Sequence, residues 1–381
     1  MVELIKNNRL HTLNIKPIDL ESIKQFHQSI PGFKPSLLVP LSNLAHQLEV
    51  GPVFIKDESN RFGLKAFKGM GASYAIYRFI KKRFEETFGV MFQLEQLYDK
   101  ALLNQLNLPP FATATDGNHG RAVAWFARIL GLEAIIYIPQ DTVPARIENI
   151  NKEGAKVIEV DGSYDQTVRS CAEDAKNFGY QVIADTAYEN YYEIPEYITE
   201  GYLSLLDEID HQLEFDFIFV QCGVGSFAAA VVIYYKFFKQ GQAPKIILVE
   251  PANSACVFES FQAGYLTQSK GSLNTIMAGL NCGTPSEIAW PILRDGVDYF
   301  LTVDDHYAKK AMYQYYHPVG NDPQIISGES GSAGLAALLS LKESGYLEQI
   351  GINKKSKILL FNTEGDTDPE SFSRITSQSH A

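Results

Sequence analysis

Short apolar runs alternate with longer segments of helical period along most of this chain. The runs at 53–56, 111–114, 134–138, 157–160, 182–184, 217–220, 246–249, 300–303 and 358–361 are apolar nearly throughout. A strand wetted on one face alternates apolar with polar residues. Uninterrupted runs instead predict strands covered on both faces of a parallel sheet. Helix signals lie between them. Residues 121–130 keep a helical period up to Gly131, a residue suited to the left-handed turn past a helix end. Pro144 opens a further helix and Gly154 closes it, 164–177 leads to Gly179, and 67 to about 84 forms another helical segment. This alternation predicts an α/β chain with right-handed crossovers. Domain boundaries are expected near residues 90 and 200, and the polar tail after Pro369 on the surface.

Composition narrows the class of partner. A length of 381 residues allows two or three domains' worth of core. The net charge of −12 argues against nucleic acid, whose binders carry a basic face. The opening MVELIKNNRLHTLNIKP lacks the apolar centre of a signal peptide. No stretch reaches the ~18 apolar residues of a membrane span. The most apolar region, 215–235, is broken by Gln221, Gly223, Gly225 and Ser226. A cytoplasmic protein is expected. Cys171, Cys222, Cys256 and Cys282 form no CxxC pair and have no His cluster nearby, so no metal site is expected. Buried thiols are the default reading, with a Cys256–Cys282 disulfide as the alternative.

Candidate chemistry gathers in a few segments. The string KDESNRFGLKAFKGMGAS at 56–73 follows a strand and opens a helix. A lysine at a helix N-terminus opposes the macrodipole. Burial there beside a cation depresses its pKa, which gives the partly neutral amine that Schiff-base chemistry needs. Taken singly, such a lysine is ordinarily a solvated side chain, so its neighbours decide. TATDGNHGR at 113–121 is a polar, glycine-bearing turn after a strand. Open α/β sheets bind ligands at such turns, and the helix start suits a carboxylate. Asp116 there either caps the helix or works as an acid/base. Asp185 ends another strand, where an Asp most often forms a turn. QCGVGSFA at 221–228 has the form of a phosphate cradle. Gly223, Gly225 and Ala228 also fit a dinucleotide fingerprint, with Glu250 as its ribose-binding acid. The last strand runs into Asn362 and Thr363. The small-residue turn 324–334 reads as a tight helix start with no catalytic role.

In this order, from about residue 30 to 369, the segments resemble the pyridoxal-phosphate (PLP) enzymes of the tryptophan synthase β group, called fold type II. KDESNRFGLKAFK and Asp116 are similar specifically to its diaminopropionate ammonia-lyases. The resemblance implies two open, twisted, mainly parallel sheets flanked by helices, with PLP in the cleft between a large and a small domain. Residues 1–90 with 201–381 would form the large, PLP-anchoring domain and 91–200 the small, substrate-side one. It places the Schiff base on Lys68, not Lys65 or Lys56, within Ala66-Phe67-Lys68 where threonine dehydratases have Ser-Phe-Lys. Phe67 then flanks the cofactor, Asn118 bonds its phenolic oxygen, and Gly223, Val224, Gly225 and Ser226 hold its phosphate. Thr363 faces the pyridine nitrogen. A hydroxyl there does not enforce a pyridinium, which suits β-elimination better than transamination. Thr115, Asp116, Gly117 and His119 would meet the substrate, and the 281–285 segment would line the entrance. Asp116 and Asp185 would be acid/base groups on different sides of Cα, allowing both D and L substrates. The activity implied is elimination of ammonia from 2,3-diaminopropionate by a homodimer. The alternatives are a serine/threonine dehydratase, against which Asp116 in place of a small residue speaks, an NAD-dependent oxidoreductase, and a non-catalytic PLP-binding protein.

Overall fold

Parallel strands form the centre of each of the chain's two units. The computed structural model describes residues 3–115, 117–162, 164–209, 213–239 and 242–378. One unit comprises Met1–Pro17, Pro35–Ala66 and Leu205–Ala381, and the other Ile18–Lys34 and Phe67–Ser204. The strands are β1 (Glu3–Lys6), β2 (Leu37–Pro40), β3 (Val53–Asp57), β4 (Phe111–Ala114), β5 (Ala134–Pro139), β6 (Lys156–Val160), β7 (Gln181–Val182), β8 (Phe217–Gln221), β9 (Lys245–Pro251), β10 (Tyr299–Val303) and β11 (Ile358–Asn362).

Among the described residues the first unit holds a seven-stranded sheet in the order β1-β10-β9-β8-β11-β3-β2. The inner pairings are parallel, and β1 and β2 are antiparallel edges. The second unit holds an all-parallel sheet, β6-β5-β4-β7. Helices flank both sheets. The helix Ala333–Glu343, buried from Ala333 to Leu341, packs on β8, β9, β10 and β11. The α/β class and the two mainly parallel sheets agree with the sequence reading, and each predicted run contains a strand. β7 stops at Val182, short of the expected 184. β1 and β2 went unread: each is four residues long and half exposed, β1 is bounded by Glu3 and Lys6, and the short run of β2 ends in Pro40.

The units depart from the expected domain division at 18–34, 67–90 and 201–204. The helix Lys68–Phe88 buries one face against the helices Glu193–Gly201 and Asn118–Leu130, and this packing groups it with the second unit. Gly201 makes the approach possible: a Cβ there would lie 2.7 Å from the Met70 carbonyl oxygen.

Strand order sets where each sheet opens. β8, β9 and β10 are laid in one direction while β11 lies on the other side of β8. In the second sheet β4, β5 and β6 run one way and β7 returns to the far side of β4. Such reversals open a crevice at the carboxyl ends of the two diverging strands. The glycine loop and Thr363 follow β8 and β11. The 115–120 turn and Asp185 follow β4 and β7. Among the described residues no helix is long and apolar enough to cross a membrane.

Candidate active site

In the second unit, Lys68 is the first residue of its helix, whose N-cap, Phe67, makes no side-chain capping bond. Its ammonium donates to Asp185 Oδ2 at 2.6 Å. The pair is largely enclosed, with side-chain exposures of 19% and 15%. The group facing the amine is thus a carboxylate, not the cation the sequence reading invoked. Burial alone would push the Asp185 carboxyl up. The Lys68 charge, with a smaller contribution from His119, outweighs it and holds the carboxyl well below the usual carboxylate range.

His119 completes this group. Its Nε2 lies 2.8 Å from the Ile183 carbonyl oxygen, so Nε2 carries the proton and donates. Burial, together with Lys68, lowers its pKa against the pull of Asp185 and favours the neutral ring. Its Nδ1 lies 4.0 Å from Asp185 Oδ2 and has no hydrogen-bond partner among the described residues. A buried acceptor of this kind suits a polar ligand group.

Thr115 organises the turn that carries His119. Its Oγ1 accepts from the Gly117 and Gly120 N–H groups at 3.0 and 3.2 Å, so this hydroxyl supports the helix start. A Cβ on Gly120 would collide with the Thr115 methyl and Ile136, hence the glycine. Asn118 is the first residue of the helix, half-buried at its N-terminal end. Asp116 lies outside the described residues.

In the first unit, Gly223, Val224 and Gly225 lead from β8 into the helix Ser226–Ile233, whose first residue is Ser226. Gly225 has φ +106°, and a Cβ there would meet Leu293 at 2.8 Å, so the loop needs glycine twice over. On the next strand, Thr363 is buried and its Oγ1 accepts from Gln221 Nε2 at 3.1 Å. That amide also reaches the carbonyls of Phe361 and Ser330, tying the ends of β8 and β11 together. Ala66, two residues before Lys68, bridges to Glu364, the residue after Thr363.

The dinucleotide reading fails at its acid. Glu250 is fully buried and accepts from the Val257 and Phe258 N–H groups at 2.9 and 2.7 Å, where it caps the next helix and no ribose reaches it. Burial pushes its carboxyl up to about 8. An acid protonated in the fold but ionised in the unfolded chain stabilises fully below its unfolded pKa, and that contribution declines as pH rises toward 8. Glu250→Gln, which cannot ionise, is therefore expected to gain Tm relative to the parent between pH 5 and 8. A Tm difference that stays flat across that range would show the carboxyl to be ionised in the fold.

Sequence reasoning missed two features around the lysine. Lys56, Glu58 and Arg61 are bound up in a buried charge cluster with Glu208. Lys56 Nζ donates to Glu208 at 2.6 Å, and Arg61 forks onto both carboxylates at 2.6–2.9 Å. The Ser36 hydroxyl donates to Glu58. Lys65 pairs with Asp366 at 2.8 Å on a half-exposed site. Each of the motif's other lysines is thus held in an ion pair, Lys56 with Glu208 and Lys65 with Asp366. The second missed residue is Tyr202, buried against Phe67. The four cysteines are free thiols.

The residues suit a phosphorylated, aldehyde-bearing cofactor. A loop with glycines at 223 and 225 runs into a helix N-terminus, which suits a phosphate, and an enclosed lysine has a carboxylate in contact. Comparison with known proteins agrees. Residues 30–352 match the family described as "Pyridoxal-phosphate dependent enzyme". The diaminopropionate ammonia-lyase of Escherichia coli (strain K12) is 38% identical over 362 residues, 92% of this chain and 89% of that protein. Crystal structures of the E. coli ammonia-lyase, one with an aminoacrylate–PLP azomethine reaction intermediate and one with D-serine, are 35% identical. Each matches with a TM-score of 0.90 and covers 100% of this chain and 98% of theirs. Fold, cradle, lysine and sequence agree: this chain belongs to the pyridoxal-phosphate-dependent enzymes and, among them, to the diaminopropionate ammonia-lyase family.

Proposed function

We propose that this protein eliminates ammonia from 2,3-diaminopropionate, giving pyruvate and a second ammonia after hydrolysis. The observation that carries the reading is the enclosed Lys68–Asp185 pair, in a chain matching ammonia-lyases over nearly its whole length. PLP, when bound, supplies the electron sink for the pair left as the Cα–H bond breaks. Lys68 is the residue that bonds to it, flanked by Phe67. The backbone of Gly223, Val224, Gly225 and Ser226 holds its phosphate at the helix N-terminus. Asn118 would hold its phenolic oxygen, and the Thr363 hydroxyl, steadied by Gln221, would serve the ring nitrogen. Thr115, Gly117 and His119 shape the substrate side, where the unpaired His119 Nδ1 accepts a donor. Asp185 is placed to take the Lys68 proton and then to move protons at Cα or at the leaving amine. The family likeness gives Asp116 the same role toward the opposite face of the substrate. As the Cα–H and Cβ–N bonds break, the departing amino group gains one proton and leaves as ammonia. The family likeness also supports a cytoplasmic homodimer acting on a small amino acid.

Two carboxylates serving two faces predict a split. Asp116→Asn and Asp185→Asn are each expected to lose about 10²–10⁴-fold on one enantiomer of diaminopropionate and less on the other. Pyruvate release from the separate D and L substrates measures this, and equal losses on both would end the division of labour. Serine or threonine turned over in place of diaminopropionate would instead make the protein a dehydratase.

A further inference from the structure

Asp185 reaches Lys68 from a segment that is pinned along both of its sides. β7 is the edge of its sheet and ends at Val182, three residues before the carboxylate. Ile183 still faces β4, its N–H donating to the Ala112 carbonyl at 2.8 Å and its carbonyl accepting from His119 Nε2 at 2.8 Å. Successive residues of an extended chain turn their backbone groups to opposite sides, so the Val182 carbonyl and the Ala184 N–H face the open edge of the sheet. Tyr191 takes the place of a further strand there. Its hydroxyl accepts from the Ala184 N–H at 2.9 Å and donates to the Val182 carbonyl at 3.0 Å. A neutral phenol can do both at once. The Gln181 side-chain amide also donates to the Val182 carbonyl, at 2.9 Å. The tyrosine therefore matters most to the Ala184 N–H, in the residue directly before Asp185. A tight turn brings it back to the strand. The Tyr191 N–H donates to the Tyr188 carbonyl at 2.8 Å, and Asn190 adopts φ +65°, a left-handed conformation that asparagine tolerates. The Tyr188 ring stacks on Tyr191 at 4.9 Å and 18°.

We propose that Tyr191 is the positioning residue for Asp185: by closing the loop 182–191 on its own strand, it fixes the backbone from which the carboxylate reaches Lys68. An aspartate has a short side chain with two torsions, so where its oxygens lie is set mainly by the backbone that carries it. The hydroxyl fixes that backbone one residue away, on the side that the sheet leaves open. Small displacements of a reacting group are costly in rate, which makes the hold on Ala184 matter for proton transfer as well as for the fold. The consequence for turnover rests on Asp185 being an acid/base group, as proposed above. The hold on the Lys68–Asp185 contact does not, nor does it depend on which amino acid is the substrate.

Tyr191→Phe removes one oxygen and keeps the ring on Tyr188. Labelling of Lys68 by acetic anhydride is timed by peptide mass spectrometry in the full-length chain freed of cofactor. Lys354, whose side chain is 77% exposed, is the reference and should not change. An ammonium paired with a carboxylate gives up its proton less readily, and only the neutral amine is acylated. Lys68 labelling is therefore expected to rise roughly three- to tenfold in Tyr191→Phe, the order of one neutral hydrogen bond, and further in Asp185→Asn. The double variant should match Asp185→Asn, because a residue acting only through Asp185 then has nothing left to hold. Pyruvate release by the holoenzyme is expected to follow the same order, Tyr191→Phe costing about three- to tenfold in kcat in the parent and nothing once Asp185 is Asn. An unchanged Lys68 rate in Tyr191→Phe, or an effect of equal size with and without Asp185, would overturn the inference and leave Tyr191 a residue of the fold alone. If Asp185→Asn kept full turnover while the labelling order held, the acid/base reading of Asp185 would fall and the positioning would stand.

Discussion

Lys68→Ala is expected to lower pyruvate release by roughly 10⁴-fold or more, above the upper end of what one proton-transferring group contributes, because the covalent step goes with it. The visible band of the bonded cofactor should vanish while cofactor still binds loosely, since the glycine loop before Ser226 is untouched. Lys65→Ala is the control. Lys65 pairs with Asp366 at a half-exposed site, so its loss should cost little. Asp185 would register the change as well. Without the ammonium at 2.6 Å, burial meets less opposition and shifts its carboxyl toward the neutral acid. Ethylamine carries the missing amine and is expected to restore part of the turnover to Lys68→Ala and none to Lys65→Ala. A Lys68→Ala protein that kept both its band and its turnover would place the chemistry on another lysine.

The parallel sheets were legible because covering both faces of a strand leaves a continuous apolar run, and 217–220 or 358–361 hardly read as anything else. The short edges β1 and β2 were not, since an edge strand of four residues is half exposed and carries little pattern. Residues 67–90 were drawn into the wrong unit because chain order says nothing of packing. What decides it is the fit of the Lys68–Phe88 helix onto the Glu193–Gly201 helix, which two glycines far apart in sequence permit. The site shows the same division. Glycine loops are local and announce themselves, so the strand–loop–helix at Gly223 to Ser226 was legible from spacing. Glu250 also fitted a spacing rule, yet it caps a helix, because a motif records separation along the chain and not the direction of a side chain. Lys68 meets Asp185 across 117 residues, a pairing that neither local pattern nor family likeness had specified. Tyr202 left no local signal, since its partners Phe67 and Gly71 lie in a different helix.

Arg61→Met is expected to cost the most stability of any single change in the lysine motif. Lys56, Glu58, Arg61 and Glu208 have side-chain exposures of 0%, 0%, 1% and 8%, and their charges balance two against two. Of the two cations only Arg61 hydrogen-bonds to both carboxylates, so removing it leaves two buried anions facing one lysine. Breaking a buried pair in this way costs about 3–5 kcal/mol. In a unit of this size that is a fall of roughly 10 °C in Tm. Arg61 also holds Glu58 below its usual range against burial, so the variant should be most stable at mildly acid pH, where the freed carboxyl takes up a proton. Adding Glu58→Gln to Arg61→Met restores the balance as Lys56 with Glu208. The double variant is therefore expected to be more stable than the sum of the two single losses. Thermal unfolding of the four proteins in one buffer gives the coupling directly. Simple additivity would mean that each side chain contributes by its packing and that the charges are incidental.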